Sequence, residues 1–188
     1  MANKDAAFGL KPVRTMGGTA NFTTNEYDIA NNHSNAIFQG SPVIATAAGG
    51  IDVAAGSSDK IVGVFQGCSY TDPTSGEPVF SNYYPGSIAA DDIKALVYDD
   101  PYIVYEIQCD GTMAANSVNA NADTTSTGSG STTTGRSIAE ISSTVGTATA
   151  QLRIIGYSKD PDNSDSSSAN GNVYVLINEH AYRQGVGV

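Results

Sequence analysis

Few residues in this chain have types and spacing that could do chemistry. His33 and His180 are the only histidines, one inside the polar run 31–35 and the other closing a strand-like segment beside Asn178 and Glu179. Two isolated imidazoles fall short of a histidine acid/base pair or a histidine-rich metal site. His33 reads as solvated and His180 as a structural hydrogen-bonding group. Cys68 and Cys109 are too few and too far apart for a disulfide framework or a zinc site. Both fall in strand-like segments, where a free cysteine behaves as a small buried hydrophobe. Asp160, Asp162 and Asp165 alternate as calcium ligands do, but Ser164 takes the third ligand slot and Asp165 stands where the turn glycine belongs. That loop reads as a solvated turn. No phosphate-binding loop, dinucleotide fingerprint or nucleophile elbow occurs. With no tryptophan, Tyr83-Tyr84 beside Asn82 is the one weak candidate for glycan contact. The expectation is a chain that is not an enzyme, with no catalytic residues, no cofactor and no metal.

Whatever site exists must be positioned by strands. The chain holds 20 Gly, 20 Ser, 17 Thr and 14 Asn, with 15% charged residues, which suits short strands joined by many turns and suits long helices badly. An apolar share of 40% is low for a globular chain yet too high for full disorder, and 188 residues can bury a core without staples. Lys60 to Tyr70 reads as a strand in which Gly63 and Gly67 mark a bulge or a close neighbour. In Ile93 to Gly111, two β-rich runs flank the turn residues Asp99-Asp100-Pro101 and read as a pair of strands in an antiparallel sheet. Ile103, Tyr105, Ile107 and Cys109 share one apolar face of the second run; Tyr102, Val104, Glu106 and Gln108 share the mixed one. Short strands are also expected around Ile37 and Val43, at Gln151 to Tyr157 and at Asn172 to His180. The last has apolar residues on both faces, implying cover from the core on one side and a second sheet or subunit on the other. Residues 137–145 could form one or two helical turns, with Ser137 as N-cap, or a strand. The fold class expected is all-β: an antiparallel β-sandwich or barrel-like core with long polar loops, an extended N-terminal arm and at most one short helix.

Residues 1–30 lack sustained periodicity, and Pro12 favours extended geometry around it, so they read as an extended arm on a single β domain at 31–188. Within that domain, 112–136 is poor in apolar residues and reads as a flexible Ser/Thr-rich loop. The formal net charge is −10, yet residues 1–14 hold Lys4, Lys11 and Arg14 against Asp5. Nine basic residues cannot supply the broad phosphate-neutralising patch of a nucleic-acid binder. A weakly basic arm on an acidic body fits docking on an acidic protein surface, or simple solvation. Phe8, Leu10, Pro12 and Val13 would be the arm's apolar anchors, with Lys11 and Arg14 for charge complementarity. No apolar run reaches membrane-spanning length and no secretory leader opens the chain, so the expectation is synthesis in a host cytoplasm and no membrane partner.

Six blocks together carry a resemblance: MANKDAAFGLKPVR at the start, GSPVI at 40–44, KIVGVFQGCSY at 60–70, DDPYIVYEIQCDG at 99–111, LRIIGYSKDPDN at 152–163 and VYVLINEH at 173–180. In order and spacing, the chain resembles the head decoration, or capsid cement, proteins of tailed bacteriophages, particularly those infecting cyanobacteria and other aquatic bacteria. The likeness runs to about residue 180, and 112–136 is its least familiar part. It implies a β-rich structural protein of the virion exterior that clamps neighbouring major capsid protein subunits. It carries over no active site. A homotrimer at three-fold positions is the favoured self-association, with a dimer second. The alternative is a tail, neck or fibre-type β-sandwich with a receptor- or glycan-binding role.

Overall fold

The computed structural model describes residues 3–20 and 22–183; expectations that fall on residues 1, 2, 21 and 184–188 lie outside the described residues. In chain order the first strands are β1 (Lys11–Thr15), β2 (Asn25–Asp28), β3 (Ile37–Phe38), β4 (Pro42–Ala45) and β5 (Ile51–Val53). The long β6 (Ile61–Thr71) is followed by β7 (Pro78–Ser81), β8 (Tyr83–Tyr84), β9 (Lys94–Tyr98) and β10 (Ile103–Gln108). The last are β11 (Asn121–Ala122), β12 (Thr124–Thr125), β13 (Glu140–Ile141), β14 (Leu152–Tyr157) and β15 (Asn172–Ile177). The only helix among the described residues is a 3₁₀ turn at Ala181–Arg183, and no helix is long and apolar enough to cross a membrane.

The protein is all-β, and its strands form two large antiparallel sheets and two small ones. One large sheet runs β1-β10-β15-β14-β11; the other runs β2-β9-β6-β4-β5, with β7 added to β6. The inward face of the first is Ile103, Tyr105 and Ile107 of β10, Val173, Val175 and Ile177 of β15, and Leu152 and Ile154 of β14. These pack against Ile61 and Val64 of β6. The opposite face of the second sheet, with Phe65 and Cys68 of β6 and Ala95 and Val97 of β9, builds a second core under β3 and β8 through Ile37 and Tyr84. β6 therefore serves two cores, because Val64 and Phe65 point to opposite faces. Each fully buried Val, Leu or Ile contributes about 1.5–3 kcal/mol.

Gly63 shows what such a middle layer demands. A Cβ there would collide with the Tyr98 carbonyl and the Val97 side chain. The β6–β9 register slips between Phe65 and Gly67, and the β4–β6 register slips between Val43 and Ile44.

β9 and β10 differ from the expected arrangement. Both strands exist, but they are not partners: β9 lies between β2 and β6 in one sheet, and β10 between β1 and β15 in the other. Asp99 to Tyr102 is an arch between sheets, closed by the Tyr102 and Ile103 amides donating to the Asp100 carboxylate and carbonyl. Turn chemistry specified a reversal without specifying which sheet received the next strand.

The expected arm is also part of the body. β1 pairs with β10, β2 pairs with β9, and Leu10 is buried in the first core. Extended geometry around Pro12 is what strand pairing uses. Segment 112–136 is likewise laid down across the body rather than set apart as one loop. Ala122 is buried, the Thr127 hydroxyl bonds to the Ala54 carbonyl, and Ser41 Oγ donates to the Thr127 carbonyl at 3.2 Å. Its hydroxyls bond main chain, supplying locally what few apolar side chains could supply by burial. At 137–145 the strand alternative holds: Ser137 Oγ accepts from the Ala139 amide at 3.0 Å in a tight turn, and β13 pairs with β12.

Candidate functional site

The outer face of the first sheet carries a cleft. Period two places Glu106 and Gln108 of β10 on that face, and Asn172 of β15 pairs with Gln108 in register. Gln108 is 1% exposed, and its carboxamide works in both directions. Oε1 accepts from the Ala6 amide at 2.9 Å, while Nε2 donates to the Lys4 carbonyl at 2.8 Å and the Asn170 carbonyl at 3.1 Å. Asn163 Nδ2 donates to the same Lys4 carbonyl at 2.8 Å. Further along, Asn3 Nδ2 donates to the Asp165 and Ala169 carbonyls, and its Oδ1 accepts from the Asp165 amide. The segment before β1 is thus an extended chain held through its main chain by side-chain amides. It then turns at Gly9, where φ is +74° and a Cβ would sit 2.6 Å from the Gly40 carbonyl oxygen. Glycine is required there on both counts.

Between this segment, the 131–138 turn and the 160–163 turn lies a cleft of about 610 Å³, within the range of small-ligand sites. At its floor Glu106 is buried and well partnered. Its Oε1 accepts from Ser158 Oγ at 2.6 Å and Asn172 Nδ2 at 3.4 Å, and its Oε2 lies 3.5 Å from Lys11 Nζ. Asn172 Oδ1 is buried with no hydrogen-bond partner among the described residues. Arg136, Ile138, Asp160, Asp162, Gln39 and Gln66 are among the residues that line it. Neighbouring Asp165 is used locally: Ser167 and Ser168 donate to its carboxylate and hold its pKa down at about 2. Chemically the cleft is a hydrogen-bonding slot of both signs.

The six anchor residues expected on the arm do not form one exposed patch. Phe8, Leu10, Lys11 and Pro12 line the cleft, with Leu10 also in the core. Val13 sits where the β1–β10 register slips, and Arg14 donates to the Thr15 carbonyl at 3.4 Å; neither lines the cleft. Deleting this stretch would remove an edge strand and a core leucine as well as any docking surface.

Other singled-out residues are absorbed by packing. His33 is not simply solvated: its Nε2 is 3.0 Å from Asp52 Oδ1 and its ring is half-buried near Tyr84. His180 is fully buried, its Nδ1 accepts from the Tyr182 amide, and burial lowers its pKa to about 4. Both cysteines are free and buried, and burial pushes their thiols up to about 12. Tyr84 is fully buried and Tyr83 stacks on Phe38 at 5.6 Å, leaving no open platform at that pair.

Two exposed features escaped the sequence reading. Phe80 on β7 is 82% exposed. At the other end of β9, Met16, Tyr102 and Tyr182 are all more than half exposed. The Met16 amide donates to the Tyr102 carbonyl, Arg183 lies 6.0 Å over the Tyr102 ring, and Tyr182 is hydrogen-bonded to Tyr27, which donates to Asp99. Burial, reinforced by those bonds, pushes the Tyr27 pKa up. Exposed aromatics were visible in the sequence, but their assembly depends on the arch and the final turn.

Compared with protein-family models, with curated proteins and with solved structures, the chain matches none.

Proposed function

We propose that this chain is a structural protein of a tailed-phage virion that binds the outside of the head and cements neighbouring major capsid protein subunits. The observation that carries the reading is the placement of interface-type side chains at two separated places on the β body. Phe80 sits across β6 from Lys94, at the start of β9, and the Met16–Tyr102–Tyr182–Arg183 patch sits beyond Tyr98 at its end. Aromatic residues, Met and Arg are enriched in protein interfaces, and a clamp needs more than one contact so that avidity outweighs each modest interface. A net charge of −10 would keep decorated particles mutually repelling. The reading assigns the chain no catalysis, a homotrimer at three-fold positions with a dimer second, and a place on the capsid exterior.

Cryo-electron microscopy of the particles tests it. The expected result is density of this size as knobs on the head at symmetry axes. Density confined to the tail or neck, or none on the particle, would overturn the reading in favour of a tail or fibre-type role.

A further inference from the structure

We infer that the cleft beside the N-terminal segment receives an extended polypeptide segment of the shell subunit, an inference that rests on the head-decoration reading. The same face already holds one extended segment, residues 3–6, in the manner suited to such a ligand. A buried carboxamide, Gln108, accepts from one main-chain amide and donates to a main-chain carbonyl. The adjoining cleft offers the same chemistry. Gln39 and Gln66 are among its half-buried lining residues, and neither side chain makes a hydrogen bond among the described residues. Carboxamides carry donors and an acceptor together, which is what a peptide main chain needs from a wall. At the floor, Asn172 Oδ1 is a buried acceptor left unpaired, a costly arrangement that a ligand shifting the floor could relieve.

The walls discriminate among classes of partner. Arg136, which makes no ion pair among the described residues, shares the lining with Asp160 and Asp162. Lys11 and Glu106, 3.5 Å apart, add one group of each sign to the lining. That mixture repels a polyphosphate backbone and suits a segment bearing side chains of both signs. Phe8 is the only aromatic ring in the lining, so a sugar lacks a stacking platform. Phe8, Pro12 and Ile138, the last 43% exposed, offer apolar contact to alternate side chains of an extended strand.

The test uses the full chain and phage heads prepared without it. Wild type is compared with Arg136→Glu, Ile138→Glu and Gln66→Leu in co-sedimentation with the heads, after thermal melting has shown each variant folded. Arg136 and Ile138 are exposed, so those two variants keep the fold. The expected result is saturable wild-type binding, weakened at least tenfold by each wall charge reversal or insertion and severalfold by Gln66→Leu. If wild type does not bind heads, the decoration reading itself falls and this inference with it. If wild type binds and all three variants bind within twofold of it, the cleft is not the site and the decoration reading stands. A photo-crosslinking residue at position 138 should label one contiguous peptide of the shell subunit. Labelling of glycan, or wild-type binding on a glycan array that Arg136→Glu abolishes, would overturn the polypeptide assignment.

Discussion

β10 is buried on both faces, and different physics holds each. Inward, Ile103, Tyr105 and Ile107 pack in an apolar core with Val173, Val175 and Leu152. Outward, Glu106 and Gln108 are buried under an extended segment and a serine-rich loop, and hold them by hydrogen bonds. The apolar face needs only shape and volume, because dispersion and water exclusion carry no direction. The polar face needs every donor matched to an acceptor, since a buried group left alone costs about 1–3 kcal/mol. One strand therefore combines a tolerant face that stabilises with a demanding face that fixes where the chain's N-terminal segment lies.

The largest effect that tests this contrast is on the inward face. Tyr105→Ala should cost about 3–5 kcal/mol in urea unfolding, because a fully buried ring leaves a cavity and the hydroxyl's 3.2 Å bond to the Tyr98 carbonyl is lost. A loss below about 1.5 kcal/mol would mean that this core collapses to refill the space. On the outward face, Gln108→Ala should cost about 1–3 kcal/mol, the desolvation of the groups it leaves unpaired. Its signature is local. Hydrogen exchange at the Ala6 amide should accelerate by more than the global loss of stability accounts for, while exchange along β15 follows the global change alone. Unchanged protection at Ala6 would show that Gln108 is not what holds the segment.

How far the two faces could be read from sequence follows from the same contrast. Ile103, Tyr105, Ile107 and Cys109 announce themselves by period two, and all are buried. The glycines at 63 and 67 announce close neighbours, and both have them: the Tyr98 carbonyl beside Gly63 and the Ser81 carbonyl beside Gly67. Gln108, Asn163 and Asn3 carried no such sign, because a carboxamide looks the same whether it faces water or a main chain. Their partners lie more than 100 residues away in sequence for Gln108 and Ala6, and for Asn163 and Lys4. The same blindness made residues 1–30 look like a free arm and 112–136 like an open loop: polar segments that fold by hydrogen bonding are compositionally indistinct from those that stay solvated. The charge and apolar residues of the N-terminal segment pointed toward docking by Phe8, Leu10, Lys11, Pro12, Val13 and Arg14 together, without separating the first four, which line the cleft, from Val13 and Arg14, which do not.

The smallest effect sharpens the boundary of the polar face. Lys11 Nζ lies 3.5 Å from the buried Glu106 carboxylate, but the lysine side chain is 66% exposed. Glu106 keeps its bonds from Ser158 and Asn172 whatever Lys11 does. Water can replace the ammonium, so the pair behaves as a surface ion pair, worth about 0–1 kcal/mol. Lys11→Met, which retains most of the apolar stem against the sheet, should therefore lower stability by less than about 1 kcal/mol. The difference should shrink further in 1 M salt, where screening acts within about 3 Å. A loss of several kcal/mol that survives salt would place Glu106 in the class of buried charges that need their counter-ion. The polar face of β10 would then extend onto β1, and Lys11 would belong to the packed body rather than to the rim of the cleft.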